Sequence, residues 1–310
     1  MIIQTGQRTD IPAFYSDWFV NRLKEGYVLV RNPYNSQAVT RYSLDPEVVD
    51  MIGFCSKNPS PMLPHMDLLK PYGQYWYVTI TPYGKDIEPN VPDKNFIMDT
   101  FCQLSEIVGI NSIGWRYDPI IINEEWTVER HIDSFRAMSE RLKGFTHTAV
   151  ISFIDLYQKV RRNCPELHSV SMDDQLRLTA AFAEIGKQCD MVIKPCAESK
   201  SLEDVGADCS GCMTVKMFET AIGKNLKVPV NPLNRKECAC YITGDIGAYN
   251  TCGHLCRYCY ANIDRATVLR NMQLHDPKSP FLIGNHMPGD TIHQAKQISW
   301  IDPQLRLMLN

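Results

Sequence analysis

No stretch of this chain approaches 18 consecutive apolar residues, which excludes a sequence-continuous helix long enough to cross a bilayer. The opening Met1-Ile2-Ile3-Gln4-Thr5-Gly6-Gln7-Arg8 lacks the basic and then apolar layout of a secretory signal, so a cytoplasmic protein is the expectation. Charge of one sign is missing too. The 32 Lys and Arg stand against 35 Asp and Glu, a formal net charge of −3, and this total gives no support to a nucleic-acid partner or a membrane surface. There is no G-x-x-x-x-G-K-[ST] phosphate loop, no G-x-G-x-x-G fingerprint and no G-x-S-x-G elbow. Internal repeats and low-complexity tracts are also absent.

Cysteine, by contrast, is plentiful. Of 12 cysteines, nine lie between Cys189 and Cys259, while Cys55, Cys102 and Cys164 are scattered. A reducing compartment keeps thiols from pairing, so dense cysteines at short spacing read as ligands of a metal or cluster. The hydrophobic share of 44% and charged share of 22% are those of an ordinary globular chain. With 310 residues it can bury a full core without disulfides.

Short apolar runs at Ile2–Thr5, Tyr27–Val30, Met51–Phe54, Tyr75–Ile80, Ile110–Trp115, Thr148–Phe153 and Met191–Ile193, with a weak eighth near Val205, are spaced as strands of βα units. Amphipathic stretches lie between them. Ile132, Phe135, Met138 and Leu142 share one helical face, as do Leu178, Phe182 and Ile185 after the Ser171–Asp174 capping box. The pattern predicts an α/β fold, a (β/α)8-type, TIM-like barrel over residues 1–200, with an open doubly wound sheet as the alternative. Residues 201–310 form a cysteine-rich segment and a tail expected to pack on the barrel. Polar sequence follows the strands, at Arg8-Thr9-Asp10, Arg31-Asn32-Pro33, Lys57-Asn58-Pro59, Arg116-Tyr117-Asp118-Pro119, Asp155 and Lys194-Pro195-Cys196-Ala197-Glu198. In a parallel barrel such ends converge on one mouth.

The sharpest motif is Cys252-Gly253-His254-Leu255-Cys256-Arg257-Tyr258-Cys259, a C-x3-C-x2-C with an aromatic residue before the third cysteine. Three thiolates on one loop can hold three corners of a 4Fe–4S cubane and leave one iron open. Zinc in a structural site wants four ligands, with His254 the only nearby fourth. A second constellation, Cys209 and Cys212 with Cys238 and Cys240, supplies four thiolates for a second Fe–S cluster or a structural zinc, with Cys189 or Cys196 as substitutes. The remaining histidines form no spaced metal motif and read as surface or hydrogen-bonded groups.

The C-x3-C-x-aromatic-C pattern resembles the signature of the radical SAM superfamily. The chain also resembles, over nearly its whole length, the family termed domain of unknown function 1848, through Arg8–Tyr15, Arg31–Pro33, Lys57–Pro59, Trp115–Pro119, Asp245–Gly247 and Cys252–Asn262. The first resemblance implies a full or partial (β/α) barrel and S-adenosylmethionine chelating the open iron beside Cys252, Cys256 and Cys259, with Tyr258 next to the cofactor. It also implies reductive cleavage of S-adenosylmethionine and radical chemistry on a small-molecule or unidentified substrate in the mouth. The electron donor would be a ferredoxin or flavodoxin. Arg8, Asp10, Lys57, Arg116, Asp118, Lys194 and Glu198 are the candidates for binding cofactor and substrate. In typical members the cysteines follow the first strand. Here a circular permutation would make Tyr241–Ile246 the strand leading to the cluster loop and Ile263–Met272 the helix after it. Alternatively, the loop belongs to a C-terminal flap over the mouth. A non-catalytic Fe–S or zinc protein that binds a ligand or transfers electrons is the competing reading.

Overall fold

The computed structural model describes residues 1–230, 238, 240–241 and 244–303. Its strands are β1 (Ile2–Gln4), β2 (Tyr27–Arg31), β3 (Ala38–Ser43), β4 (Met51–Ser56), β5 (Gly73–Thr79), β6 (Ile113–Ile120), β7 (Thr148–Phe153), β8 (Val192–Pro195) and β9 (Thr291–Gln294). The helices are α1 (Ile11–Phe14), α2 (Ser16–Glu25), α3 (Lys94–Val108), α4 (Val128–Leu142), α5 (Gln158–Asn163), α6 (Met172–Gln188), α7 (Val215–Ile222) and α8 (Arg265–Gln273). Six strands form one parallel sheet in the order β1-β4-β5-β6-β7-β8. The α/β class expected from the sequence is therefore present, whereas the closed eight-stranded barrel is not. Among the described residues no helix is long and apolar enough to cross a membrane.

Two of the expected barrel strands go elsewhere. β2 pairs antiparallel with β3, and β9 joins β3 in parallel, giving a separate three-stranded sheet. The cause is the turn Asn32-Pro33-Tyr34-Asn35, where the Asn32 side-chain oxygen accepts from the N–H groups of Tyr34 (2.8 Å) and Asn35 (3.2 Å) and folds the chain back on itself. Residues near Val205 form a 3₁₀ turn, Lys200–Val205, instead of a strand.

The inner face explains why the sheet stays open. Strand residues alternate between two clusters, as the pleat requires. Ile3, Ile52, Trp76, Val78 and Ile151 point to the outer core. There Phe135 of α4 and Phe182 of α6 stack at 4.0 Å, and Trp115 lies 4.7 Å from Phe135. Ile2, Met51, Tyr75, Tyr77 and Val150 point the other way, against Phe218 of α7 and Leu226. A closed barrel fills its interior with strand side chains alone. Here α7 and its neighbours occupy that face, and Val192 on the short outermost strand β8 remains 47% exposed.

The other edge of the sheet gains a partner. Gln4 on β1 bridges Asp245 in parallel, with Gln4 N–H donating to the Gly244 carbonyl and Ile246 N–H to the Gln4 carbonyl, both at 3.0 Å. Residues 244–246 thus lie beside β1 with the same direction, and the cysteine loop and α8 follow them. Of the expected strand Tyr241–Ile246, residues 242 and 243 lie outside the described residues. The tail straps back across the molecule. β9 extends the small sheet, and the Asp50 carboxylate takes both the Met1 ammonium (2.6 Å) and the Trp300 N–H (2.7 Å).

Helix α6 begins where its capping box places it, the Ser171 hydroxyl accepting from the Asp174 N–H at 3.1 Å. Ser171→Ala should cost about 0.5–2 kcal/mol of unfolding free energy. The midpoint of denaturant unfolding measures it, and an unchanged midpoint would show that this cap contributes nothing.

Candidate functional site

Strand ends β1, β4, β6 and β7 and the loop after residue 244 meet around a cavity of about 620 Å³. The end of β1 approaches β4 so closely that a Cβ on Gly6 would stand 2.4 Å from the Cys55 carbonyl oxygen, so this position admits only glycine without a backbone shift. Arg8, Asp10, Lys57, Arg116 and Asp118 line the cavity, and so do Cys252, Cys256, Tyr258 and Cys259. Sequence reasoning brought all of these to one mouth. Lys194 and Glu198 are not among its lining residues. The Lys194 ammonium is committed to Asp208 at 2.5 Å and Ser210 at 3.2 Å. Arg31-Asn32-Pro33 is also misplaced by the barrel reading. It belongs to the β2–β3 hairpin and borders an adjoining cleft of about 840 Å³, which shares Arg8, Tyr157, Tyr249 and Tyr260 with the cavity.

The cysteine loop is tightly built. Asn250 and Leu255 adopt positive φ, the Cys259 N–H donates to the Cys256 carbonyl at 3.1 Å, and the Asn262 amide caps the Cys252 carbonyl at 2.9 Å. His254 N–H donates to the Cys252 sulfur, and Ala261 and Asn262 N–H groups donate to that of Cys259. Burial pushes the Cys256 thiol up to about 12 against the pull of Lys57, and it raises Cys252 and Cys259 as well. Buried thiols aimed at backbone donors suit an electron-rich sulfur bound to metal better than a free thiolate. Among the described residues no three His, Cys, Asp or Glu side chains already stand in the arrangement of a single bound ion. The ligands of a cubane bind different irons and stand farther apart, so the donor set fits a cluster on its chemistry. His254 is turned to other work. Its Nε2 meets Asp10 Oδ2 at 2.9 Å, and its buried Nδ1 has no hydrogen-bond partner among the described residues.

Asp10 is less free than the sequence suggested. Its Oδ1 caps α1 at the Ala13 N–H, and its Oδ2 accepts from the Lys57 N–H at 2.7 Å as well as meeting His254. It holds the cysteine loop to β1 and β4. Lys57 is likewise paired, its ammonium 2.7 Å from Glu88 Oε1. Glu88, which sequence reasoning missed, is fully buried and also takes Lys94, the Thr81 hydroxyl at 2.7 Å and the Tyr258 hydroxyl. Burial alone would raise its carboxyl, but the two ammonium groups outweigh that and hold it at about 2. Only the turn around Ile87-Glu88-Pro89 carries it, and no periodicity marks such a residue.

Arg116 and Asp118, expected after the strand, lie within β6, which runs on to Ile120, and form a bonded pair there. Arg116 Nε donates to Asp118 Oδ2 at 3.0 Å, Nη2 donates to the same oxygen, and the Ser152 hydroxyl donates to Oδ1. The guanidinium lies 5.3 Å from the Tyr77 ring centroid and contacts Cys196. Glu198 accepts the Phe153 N–H at 2.8 Å just behind this pair. Burial first, then Asp155 and Asp118, push its carboxyl up to about 8.

The second cysteine set is changed by one member. Cys212 and Cys240 sulfurs stand 3.2 Å apart, Cys196 contacts both, and Cys238 lines the same cavity. Cys209 points away, toward the Ser199 carbonyl at 4.0 Å, and does not line the cavity. Cys189 is buried on the outer core side at the end of α6. The spacing C-x2-C favoured Cys209, whereas the end of β8 delivers Cys196. Cys55 also lines this cavity, in contrast to Cys164, which packs in the core.

The sequence profile described as domain of unknown function (DUF1848) matches residues 2–261. The chain belongs to this family. No curated protein matches the chain. No solved structure matches it either. The DUF1848 match runs from β1 to the end of the cysteine loop and so includes every cavity residue named above; α8, β9 and the tail lie beyond it. Within the DUF1848 range His131 is a buried, hydrogen-bonded histidine, as expected of it. It accepts from Tyr117 at 2.7 Å, donates to the Ile121 carbonyl at 2.8 Å, and is pushed down to about 4 by burial.

Proposed function

We propose that this protein is a radical S-adenosylmethionine enzyme in which Cys252, Cys256 and Cys259 hold a 4Fe–4S cluster and the cavity holds the substrate. The observation that carries the reading is that all three cysteines, on one loop, line a cavity at the C-terminal ends of a parallel sheet together with the Arg116–Asp118 pair. The strand-like residues 244–246 beside β1, followed by the loop and α8, support the permuted arrangement over a detached flap. When bound, the cluster and S-adenosylmethionine supply a one-electron reductive cleavage that opens radical chemistry on the substrate.

The chain's own residues prepare that chemistry. Backbone N–H groups of His254, Ala261 and Asn262 offset sulfur charge, which tunes a cluster's potential. Lys57, 5.6 Å from the Tyr258 ring centroid and anchored by Glu88, adds positive charge beside Cys256. The packed rings of Tyr83 and Tyr258, 6.2 Å apart, limit water on that wall. Arg116 and Asp118 are placed to orient a polar substrate or the cofactor's amino acid end.

Anaerobic reconstitution tests the proposal. The expected result is about four irons held by the loop, with broad visible absorption, and 5′-deoxyadenosine formed from S-adenosylmethionine under a strong reductant. A reconstituted protein that holds only zinc, or holds the cluster and never cleaves S-adenosylmethionine, overturns it.

A further inference from the structure

The cysteines left over by the proposed cluster form a group of their own. Cys196 comes from the end of β8, Cys212 from the loop before α7, and Cys238 and Cys240 from a third segment. Cys212, Cys238 and Cys240 are each less than 10% exposed. The Cys212 and Cys240 sulfurs stand 3.2 Å apart, Cys196 interacts with both, and Cys196 and Cys238 line the same cavity. Chance rarely gathers buried thiols from three separated segments. They border the apolar cluster of Tyr75, Tyr77 and Phe218 on one side and the cavity on the other.

We propose that Cys196, Cys212, Cys238 and Cys240 bind a single thiophilic divalent ion of the zinc class, and that Cys209 is not a ligand. With Zn–S bonds of about 2.3 Å, adjacent sulfurs of a tetrahedral site stand roughly 3.8 Å apart. The four do not already stand in the arrangement of a bound ion, and the Cys212–Cys240 contact is shorter than that spacing, so binding requires the side chains to rotate. A cubane's ligands bind different irons and would have to separate much further. The Arg116 guanidinium beside Cys196 offsets part of the charge of a four-thiolate site. Because this set and the Cys252 loop line one cavity, the ion belongs to the wall of the substrate chamber and is no remote staple. It ties Cys196 after β8, Cys212 before α7, Cys238 and Cys240 together in the cavity that Arg116 and Asp118 also line.

The test starts from the variant Cys252→Ala/Cys256→Ala/Cys259→Ala, so that its outcome does not depend on the first cluster or on S-adenosylmethionine cleavage. Elemental analysis of this full-length variant should give about one zinc-class ion per chain. Added Cys196→Ser should remove that ion, and added Cys209→Ser should retain it. If the Cys196→Ser protein is insoluble, cobalt(II) loaded into the starting variant reports the ligands directly. Intense thiolate-to-cobalt charge transfer with tetrahedral ligand-field bands is expected, and Cys209→Ser should leave that intensity unchanged. Loss of the ion in Cys209→Ser, retention in Cys196→Ser, the weak spectrum of an oxygen-ligated cobalt, or iron with sulfide in place of a single ion would each overturn the assignment.

Discussion

Glu88→Gln should lower the unfolding free energy by about 3–5 kcal/mol, the range for removing one partner of a buried ion pair. The carboxylate is 1% exposed and is the shared acceptor of Lys57, Lys94, Thr81 and Tyr258. A glutamine keeps the volume but leaves two largely buried ammonium groups without their counter-charge. That loss is a large share of the roughly 5–15 kcal/mol by which folded chains are stable. The pH dependence has a definite sign. The folded Glu88 carboxyl, at about 2, lies below its ordinary value of 4.5. Its ionic contribution is therefore complete above pH 4.5 and is lost as the pH falls from there toward 2. The gap between parent and variant in urea unfolding should be widest near neutrality and narrow in acid. A gap that is small at pH 7, or that widens in acid, would show that the lysines are solvated without Glu88.

Asp118→Asn should reduce S-adenosylmethionine cleavage by about one to two orders of magnitude while the fold survives. Each lost charge-assisted contact is worth roughly 1.5–3 kcal/mol, and each 1.36 kcal/mol is tenfold in rate. Asparagine can still accept from Arg116 through its carbonyl oxygen and donate its amide N–H to the Ser152 hydroxyl, and Arg116 keeps the Tyr77 ring and Cys196 as neighbours. The side chain is 20% exposed, so the pair is better solvated than Glu88 and its loss strains folding less. Melting temperature and 5′-deoxyadenosine yield measured on one sample separate the roles. A destabilised but fully active variant would make Arg116–Asp118 a rim ion pair only.

Local order was legible in the sequence because local rules govern it. The helical faces around Phe135 and Phe182 followed from spacing, and Ser171 capped the helix it was expected to cap. β1, β4, β5 and β7 fell close to their predicted limits because buried parallel strands are nearly continuous apolar runs. β6 began three residues late, after a 3₁₀ turn at Ile110–Ser112. Strand identity did not disclose strand pairing. Tyr27–Arg31 is as apolar as a barrel strand, yet the Asn32 turn sends it into a hairpin, and β3, of mixed polarity, was not recognised.

The sequence by itself determined the α/β class, the three-cysteine loop and the set Arg8, Asp10, Lys57, Arg116 and Asp118, since each lies after a strand or, for Arg116 and Asp118, in the C-terminal half of one, and all strands of a parallel sheet end on one side. Only the tertiary structure decided that the sheet stays open, because α7 covers the inner face that a barrel would fill with its own side chains. It alone separated the alternatives left open for the second cysteine set, placing Cys196 beside Cys212 and Cys240 and Cys209 away from them, since contact between residues on β8 and on a loop carries no sequence period. The charge partners were settled there too. Glu88, Lys94 and Tyr258 come together from separate segments, and which carboxylate neutralises which lysine depends on distance through space.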